Sequence, residues 1–370
     1  MSEVERRRRL LAHFVLAGFD RAEPAILQPA AVFLELSGED IRGRIFLTED
    51  PSGAEFCLRP EFTIPVCRDY LASPEVGKPA GFSYLGPVFR FRQGAASETL
   101  QVGVESLGRS DREAADAEIF TLTLDACAAE GSQLETRIGD TGLFNALLDA
   151  LNLAPGWLRR IRRGHIRGQK LDAILEAPVN GTAEDHSGVL QALEGADRGG
   201  ARALVENLLS IAGISSVGGR SVGEIADRFL EQATMKAEAG VPAEKRAILE
   251  KFLAIAGDPD GASTRLRALA REAKLNITPA LDAFDARLGF IAARGCDVST
   301  LRFSASFGRN LDYYTGFVFE AYDRANPSGQ PIIGGGRYDR LMRSLGAVHD
   351  IPAVGAAVFC DRLFAMGSKQ

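Results

Sequence analysis

A chain of 370 residues can hold one large domain or two to three ordinary ones. Hydrophobic residues make up 46% and charged residues 25%, the balance of a soluble globular protein, and no apolar run is long enough to span a bilayer. A formal net charge of -6 and a pI of about 5.5 lack the basic excess that neutralises a polyanion, which disfavours nucleic acid as the main partner.

Residues 3–17 have the spacing of an amphipathic helix, and Arg6 to Arg9 beside Glu3 and Glu5 form its solvated face rather than a transit peptide. Gly18-Phe19-Asp20 ends it, and an extended stretch runs through Pro24 and Pro29. Arg44–Leu47 and Glu55–Leu58 suit paired strands around the turn Asp50-Pro51-Ser52-Gly53, and Pro60–Leu71 suits a helix. Tyr84–Arg92 and Leu100–Glu105 alternate with the period of half-buried strands joined by the loop Gln93–Thr99. Asp111–Glu130 predicts a helix and Glu135–Gly139 a strand.

From Thr141 to about Arg294, leucine and alanine at helical spacing dominate, broken at Gly218-Gly219, Gly257-Asp258-Pro259 and Gly261. Strand signals return at Leu301–Ser306, Tyr313–Tyr322 and Ala353–Cys360. Strands, then helices, then strands predict an α+β fold: one antiparallel sheet flanked by helices, discontinuous over 1–140 and 301–370, with a helical insertion over 141–300. Cys57, Cys67, Cys127, Cys296 and Cys360 form no C-x-x-C pair, and His13, His165, His186 and His349 lie at no metal-ligand spacing. Reduced thiols in a cytoplasmic protein without metal, cofactor or membrane partner are expected.

The segment Arg309-Asn310-Leu311-Asp312-Tyr313-Tyr314-Thr315-Gly316 resembles the histidine-recognition strand R-G-L-D-Y-Y-T-G of histidyl-tRNA synthetases, and Gly334–Leu341 resembles a second signature of that family. Gly86–Arg90 with Gln101–Glu105, and Pro352–Gly355 with Asp361–Leu363, resemble the second and third motifs of class II aminoacyl-tRNA synthetases. Gly18–Leu36 lies where the first motif forms a dimer interface in relatives. Within that superfamily the chain is most similar to the regulatory subunits of ATP phosphoribosyltransferase, synthetase paralogues of histidine biosynthesis.

The resemblance implies a pocket for free histidine. Leu58-Arg59-Pro60-Glu61-Phe62-Thr63 is similar to L-R-P-E-x-T, which gives Glu61 and Thr63 the ammonium; Arg309 and Gln101 would take the carboxylate, and Glu105 and Tyr314, with Tyr313 nearby, the imidazole. Each has a plainer reading. Glu61 could satisfy a helix N-terminus, Gln101 and Glu105 could line a wet sheet face, Arg309 could form a surface ion pair, and Tyr313 and Tyr314 could be ordinary strand aromatics. Gly334–Gly336 could be a bulge or tight turn; no G-K-[ST] follows, so it is not a P-loop.

By the same resemblance Arg90 and Arg362 stand where synthetases clamp ATP phosphates. Other nucleotide-handling features depart from the pattern. The loop Phe91–Glu98 is short and poor in arginine, with Ser97 where an arginine is expected, and Phe359 replaces a glycine of the third motif. Asn310 replaces the glycine of the R-G-L-D-Y-Y signature. The chain stops soon after Arg362, so no anticodon-binding domain and no tRNA partner are expected. The resemblance therefore implies a non-catalytic, histidine-sensing subunit that dimerises and joins a short-form catalytic transferase. The alternative is a truncated synthetase-like enzyme that still activates histidine with ATP.

Overall fold

The computed structural model describes residues 2–36, 39–176, 240–309 and 313–366, with residues 203, 207, 216–217 and 220–221 between them. Asn310 lies outside the described residues. The helices are α1 Glu3–Leu16, α2 Ala30–Leu36, α3 Glu39–Arg42, α4 Thr63–Leu71, α5 Arg112–Ala128, α6 Thr141–Ala150, α7 Pro155–Ile166, α8 Leu171–Glu176, α9 Ala243–Leu253, α10 Pro259–Glu272, α11 Thr278–Ala293, α12 Asp339–Ser344 and α13 Cys360–Met366. The strands are β1 Asp20–Arg21, β2 Leu27–Pro29, β3 Leu47–Glu49, β4 Glu55–Leu58, β5 Ala80–Phe89, β6 Glu98–Leu107, β7 Leu134–Asp140, β8 Ser216–Val217, β9 Arg220–Ser221, β10 Ala256–Gly257, β11 Arg302–Ser304, β12 Phe317–Asp323, β13 Ile333–Arg337 and β14 Ala353–Phe359.

Nine strands form one sheet in the order β1-β5-β6-β14-β13-β12-β7-β11-β10. Pairing is antiparallel except for β1 with β5 and β11 with β7. This is the α+β sheet that the segment order predicts. Strands separated by more than 200 residues meet at β6 and β14, where Gly103 pairs with Ala357 and Glu105 with Gly355.

One face of the sheet packs on α5. Phe120 sits edge-on to Phe317 and Phe319, with centroids 5.7 and 5.0 Å away, and all three rings are buried. The alternation of β12 then turns Val318 and Glu320 to the opposite face, where the cavity described below lies. β6 departs from the expected half-wet strand, because Gln101 to Leu107 are buried throughout. Its second face carries polar side chains yet meets Tyr84 and Tyr338 rather than water.

The chain divides into two compact units, one of residues 1–150, 166–168 and 248–370, the other of 151–165 and 169–247. The first holds α6, α10 and α11 as well as the sheet, so the second unit is narrower than the expected insertion at 141–300. The reason is specific packing. Arg287 of α11 reaches Asp116 of α5 at 2.8 Å and Asp140 of β7 at 2.7 Å, and Phe284 meets Phe303 of β11. The second unit contains most of α7, whose Trp157, Ile161 and His165 are buried at four-residue spacing, and the hairpin β8–β9. Burial pushes the His165 imidazole down to about 4, the environment of a structural histidine.

Boundaries shift in places. The helix expected from Pro60 begins at Thr63, because Glu61 turns its carboxylate onto the first helical amides. Asp50 closes the β3–β4 turn by accepting from the backbone of Ser52 and Ala54. The strand expected from Tyr84 to Arg92 ends at Phe89, and Arg90 N–H bonds Ser97 O at 2.8 Å to close the loop. Gly334–Gly336 are the body of β13 rather than a turn.

Candidate functional site

A cavity of about 360 Å³ opens on the sheet face opposite α5, within the size range of small-molecule sites. Glu61, Thr63, Gln101, Arg309, Tyr313 and Tyr314 all line it, although 253 positions separate Glu61 from Tyr314. Arg90 lines it as well. Glu105 and Arg362 are not among the lining residues.

Glu61 sits at the N-terminus of α4, where its Oε2 accepts from Thr63 N at 2.7 Å and its Oε1 from Ile64 N at 2.8 Å. The plainer reading of this residue, a carboxylate satisfying helix amides, is thus realised. It is compatible with a ligand role, since each oxygen keeps a further lone pair. Burial raises the Glu61 carboxyl above its usual range, opposed by those amides and by the Arg90 charge. Arg90 donates to Pro60 O at 2.7 Å, and burial lowers its guanidinium.

Arg309 donates from Nε to Glu320 at 3.0 Å and from Nη1 to the Tyr314 hydroxyl at 2.6 Å. Burial alone would depress this guanidinium, but Tyr314 and Glu320 outweigh it and hold it above the ordinary value. Gly334 makes the arrangement possible, because a Cβ there would overlap the Arg309 Nη2. The Glu320 carboxylate also accepts from Tyr322 at 2.5 Å.

Glu105 lies beneath the cavity floor, fully buried on β6. Its Oε1 accepts from Thr63 Oγ1 at 2.8 Å and from the Tyr84 hydroxyl at 3.2 Å, and its Oε2 accepts a short bond from the Tyr338 hydroxyl. A Cβ at Gly355 would collide with that Oε2, so glycine gives the carboxylate its space. Burial pushes the Glu105 carboxyl up to about 8; the hydroxyls of Tyr338, Thr63 and Tyr84 counter it, and the Glu61 charge reinforces it. Tyr84 stacks on Phe62 at 4.2 Å, which fixes its ring.

Arg362 does not line the cavity. It lies 3.9 Å over the Phe359 ring and donates to Pro331 O. Burial, with Arg92 and Arg90 nearby, pushes it down to about 10. Arg337 does not line the cavity either, bonding Asp116 at 2.8 Å and Asp339 at 2.8 Å.

Tyr84, Glu320 and Gln330 also line the cavity, and sequence reasoning passed over all three. For Tyr84 a signal existed, since period two places it on the same strand face as Arg90. Tyr338 stood inside the quoted Gly334–Leu341 signature but carried no assigned role. Among the described residues no group of three or more His, Cys, Asp or Glu side chains is placed to hold a metal.

With the geometry in place, comparison supplies the kinship. The histidyl-tRNA synthetase family profile matches residues 2–218 and 200–363. An ATP phosphoribosyltransferase regulatory subunit from Brucella canis is 41% identical over 355 residues, covering 94% of this chain and 93% of the relative. This chain belongs to the ATP phosphoribosyltransferase regulatory subunit family. A family member from Brucella suis matches to the same 41% over 355 residues, covering 94% of this chain and 93% of that relative. Among solved structures, an ATP phosphoribosyltransferase regulatory subunit/histidyl-tRNA synthetase from Bacillus halodurans superposes with a TM-score of 0.66 at 22% identity, covering 98% of this chain and 78% of that one. A histidyl-tRNA synthetase from a Nostoc species gives 0.65 at 17% identity, with 99% and 72% covered. At such identities the two structures establish the fold alone, and that fold is the class II synthetase type.

Proposed function

We propose that this chain is a non-catalytic regulatory subunit that binds free L-histidine in the cavity. Its occupancy controls a short-form catalytic ATP phosphoribosyltransferase, the glycosyl-transferring first step of histidine biosynthesis. The reading is carried by one observation: a single cavity gathers Glu61, Thr63, Gln101, Arg309 and Tyr314 in a chain that is 41% identical to regulatory subunits. The histidine ammonium meets Glu61 and Thr63. The carboxylate meets Gln101 and the Arg309 Nη2, the donor nitrogen left after Nε and Nη1 are engaged. Tyr314 and Tyr313 flank the imidazole, and Glu105 supports it from the floor.

Two features favour sensing over aminoacyl-adenylate chemistry. The Arg362 guanidinium is committed to Pro331 and the Phe359 ring, and Phe359 itself fills part of the cavity wall. An electrostatic site for ATP needs preorganised cations aimed at the phosphates, and here only Arg90 of the pair lines the cavity. The protein acts in the cytoplasm, without tRNA or membrane; no described helix is long and apolar enough to cross a bilayer. It self-associates as a dimer, for which the outer face of the β2-β4-β3 sheet offers Leu27, Pro29, Phe56 and Leu58.

The test mixes the purified chain with a short-form transferase and measures phosphoribosyl-ATP formation. Activity is expected to require this chain and to fall when histidine is added. An output indifferent to both would end the proposal. Histidine-dependent ATP–pyrophosphate exchange by the chain alone would instead favour the enzyme.

A further inference from the structure

Glu105 is held by three hydroxyls from three separate stretches of chain, and they do not stand in the same relation to the cavity. Thr63 of α4 and Tyr84 of β5 line it and bond Oε1. Tyr338, which follows β13, does not line it and bonds Oε2 on the far side, behind Gly355. The Tyr338 hydroxyl is itself fully buried, and its ring is packed edge-on to Tyr313 at 5.9 Å. We propose that Tyr338 is the positioning residue of the ligand site: its hydroxyl anchors Glu105 from behind as a carboxylate, so that Oε1 keeps the Thr63 and Tyr84 hydroxyls turned toward it and their lone pairs turned toward the ligand.

The chemistry follows from what a hydroxyl can do. It has one proton to give and two lone pairs to offer. When Glu105 is ionised it accepts only, so Thr63 and Tyr84 both spend their protons on it. Their oxygens then face the cavity as acceptors, suited to an ammonium or a ring N–H. A protonated Glu105 must donate to one of its neighbours and reverses that hydroxyl. Ligand affinity is therefore tied to the charge on a group buried under the floor. The titratable groups that face Glu105 are Glu61, Cys67, Tyr84, Tyr313, Tyr314 and Tyr338. The Glu61 charge opposes ionisation, and the Tyr338 bond is the largest single influence favouring it.

The inference rests on the histidine-binding reading and deepens it. Histidine affinity is measured by calorimetry from pH 6 to 10 for wild type, Tyr338→Phe and Tyr338→3-fluorotyrosine. The ligand's own ionisations are common to all three proteins, so a displaced midpoint belongs to the protein. Wild-type affinity is expected to rise with pH through the Glu105 transition near 8. Tyr338→Phe removes a donor and moves the midpoint up. The more acidic fluorophenol is a stronger donor of nearly the same size and moves it down, which keeps the test alive if the phenylalanine variant folds poorly. A role confined to core packing would lower stability and leave both midpoints in place. Histidine binding whose midpoint ignores both substitutions overturns this inference alone. A wild type that binds no histidine removes the functional reading, and this inference with it.

Discussion

At Glu105 stability and recognition pull in opposite directions. Its carboxyl is raised by burial to about 8, against about 4.3 in an unfolded chain. An acid raised in this way is harmless below the unfolded value. As pH climbs toward the folded value the unfolded chain gives up its proton first, so stability falls, by on the order of 1 kcal/mol per pH unit across that window. Glu105→Gln removes the ionisation while keeping an acceptor for the hydroxyls. It is expected to raise the unfolding midpoint of the free protein at pH 8, not at pH 4.5, and to weaken histidine binding. Equal thermal shifts at both pH values would contradict the assignment. Arg309 makes a different demand, for shape rather than charge alone. Its guanidinium spans Glu320, Tyr314 and the cavity at once, which an ammonium cannot do. Arg309→Lys should cost histidine affinity about 10- to 100-fold, the worth of one charge-assisted bond, in a calorimetric titration with an intact fold.

Among the elements, β13 shows what a sequence conceals. Gly334-Gly335-Gly336 carries the composition of a turn, yet it forms an interior strand between β12 and β14. Side chains are missing there because neighbours occupy their space: Arg309 at Gly334, Phe319 at Gly335 and Tyr314 at Gly336. Nothing local records those neighbours. Glu61, Thr63, Gln101, Arg309, Tyr313 and Tyr314 were legible as candidates because they stand in contiguous motifs, whereas Glu320, Gln330 and the core ion network were not, because the partners that give them a role are far apart in the chain. Arg287 and Arg337 converge on Asp116 from 171 and 221 residues away, and all three side chains are buried. This network fastens α11 and β13 to α5, and it explains why α11 belongs to the sheet unit. Asp116→Asn leaves two buried guanidinium groups short of charge and should cost about 3 kcal/mol in urea unfolding. The half-buried pair Arg137–Glu135, 37% and 30% accessible, provides the contrast. Glu135→Gln should change stability by less than about 1 kcal/mol.

For the whole molecule, the regulatory reading makes a thermodynamic demand that no single site can meet. Histidine lowers transferase activity only if it binds the inactive assembly more tightly than the active one. The coupling is then reciprocal: the factor by which the catalytic partner changes histidine affinity equals the factor by which histidine changes partner affinity. A tenfold change in one must appear as a tenfold change in the other, about 1.4 kcal/mol in either direction. Titrating histidine into the chain alone and into the assembly, then titrating the partner with and without saturating histidine, gives the two ratios independently. They are expected to agree and to differ from one, and Arg309→Lys is expected to displace both histidine curves to higher histidine concentration without altering the partner affinity measured in the absence of histidine. Ratios of one would mean that the state bound by histidine is not the state that the partner reads, and a cavity so placed on the sheet would then be a binding site without a regulatory consequence.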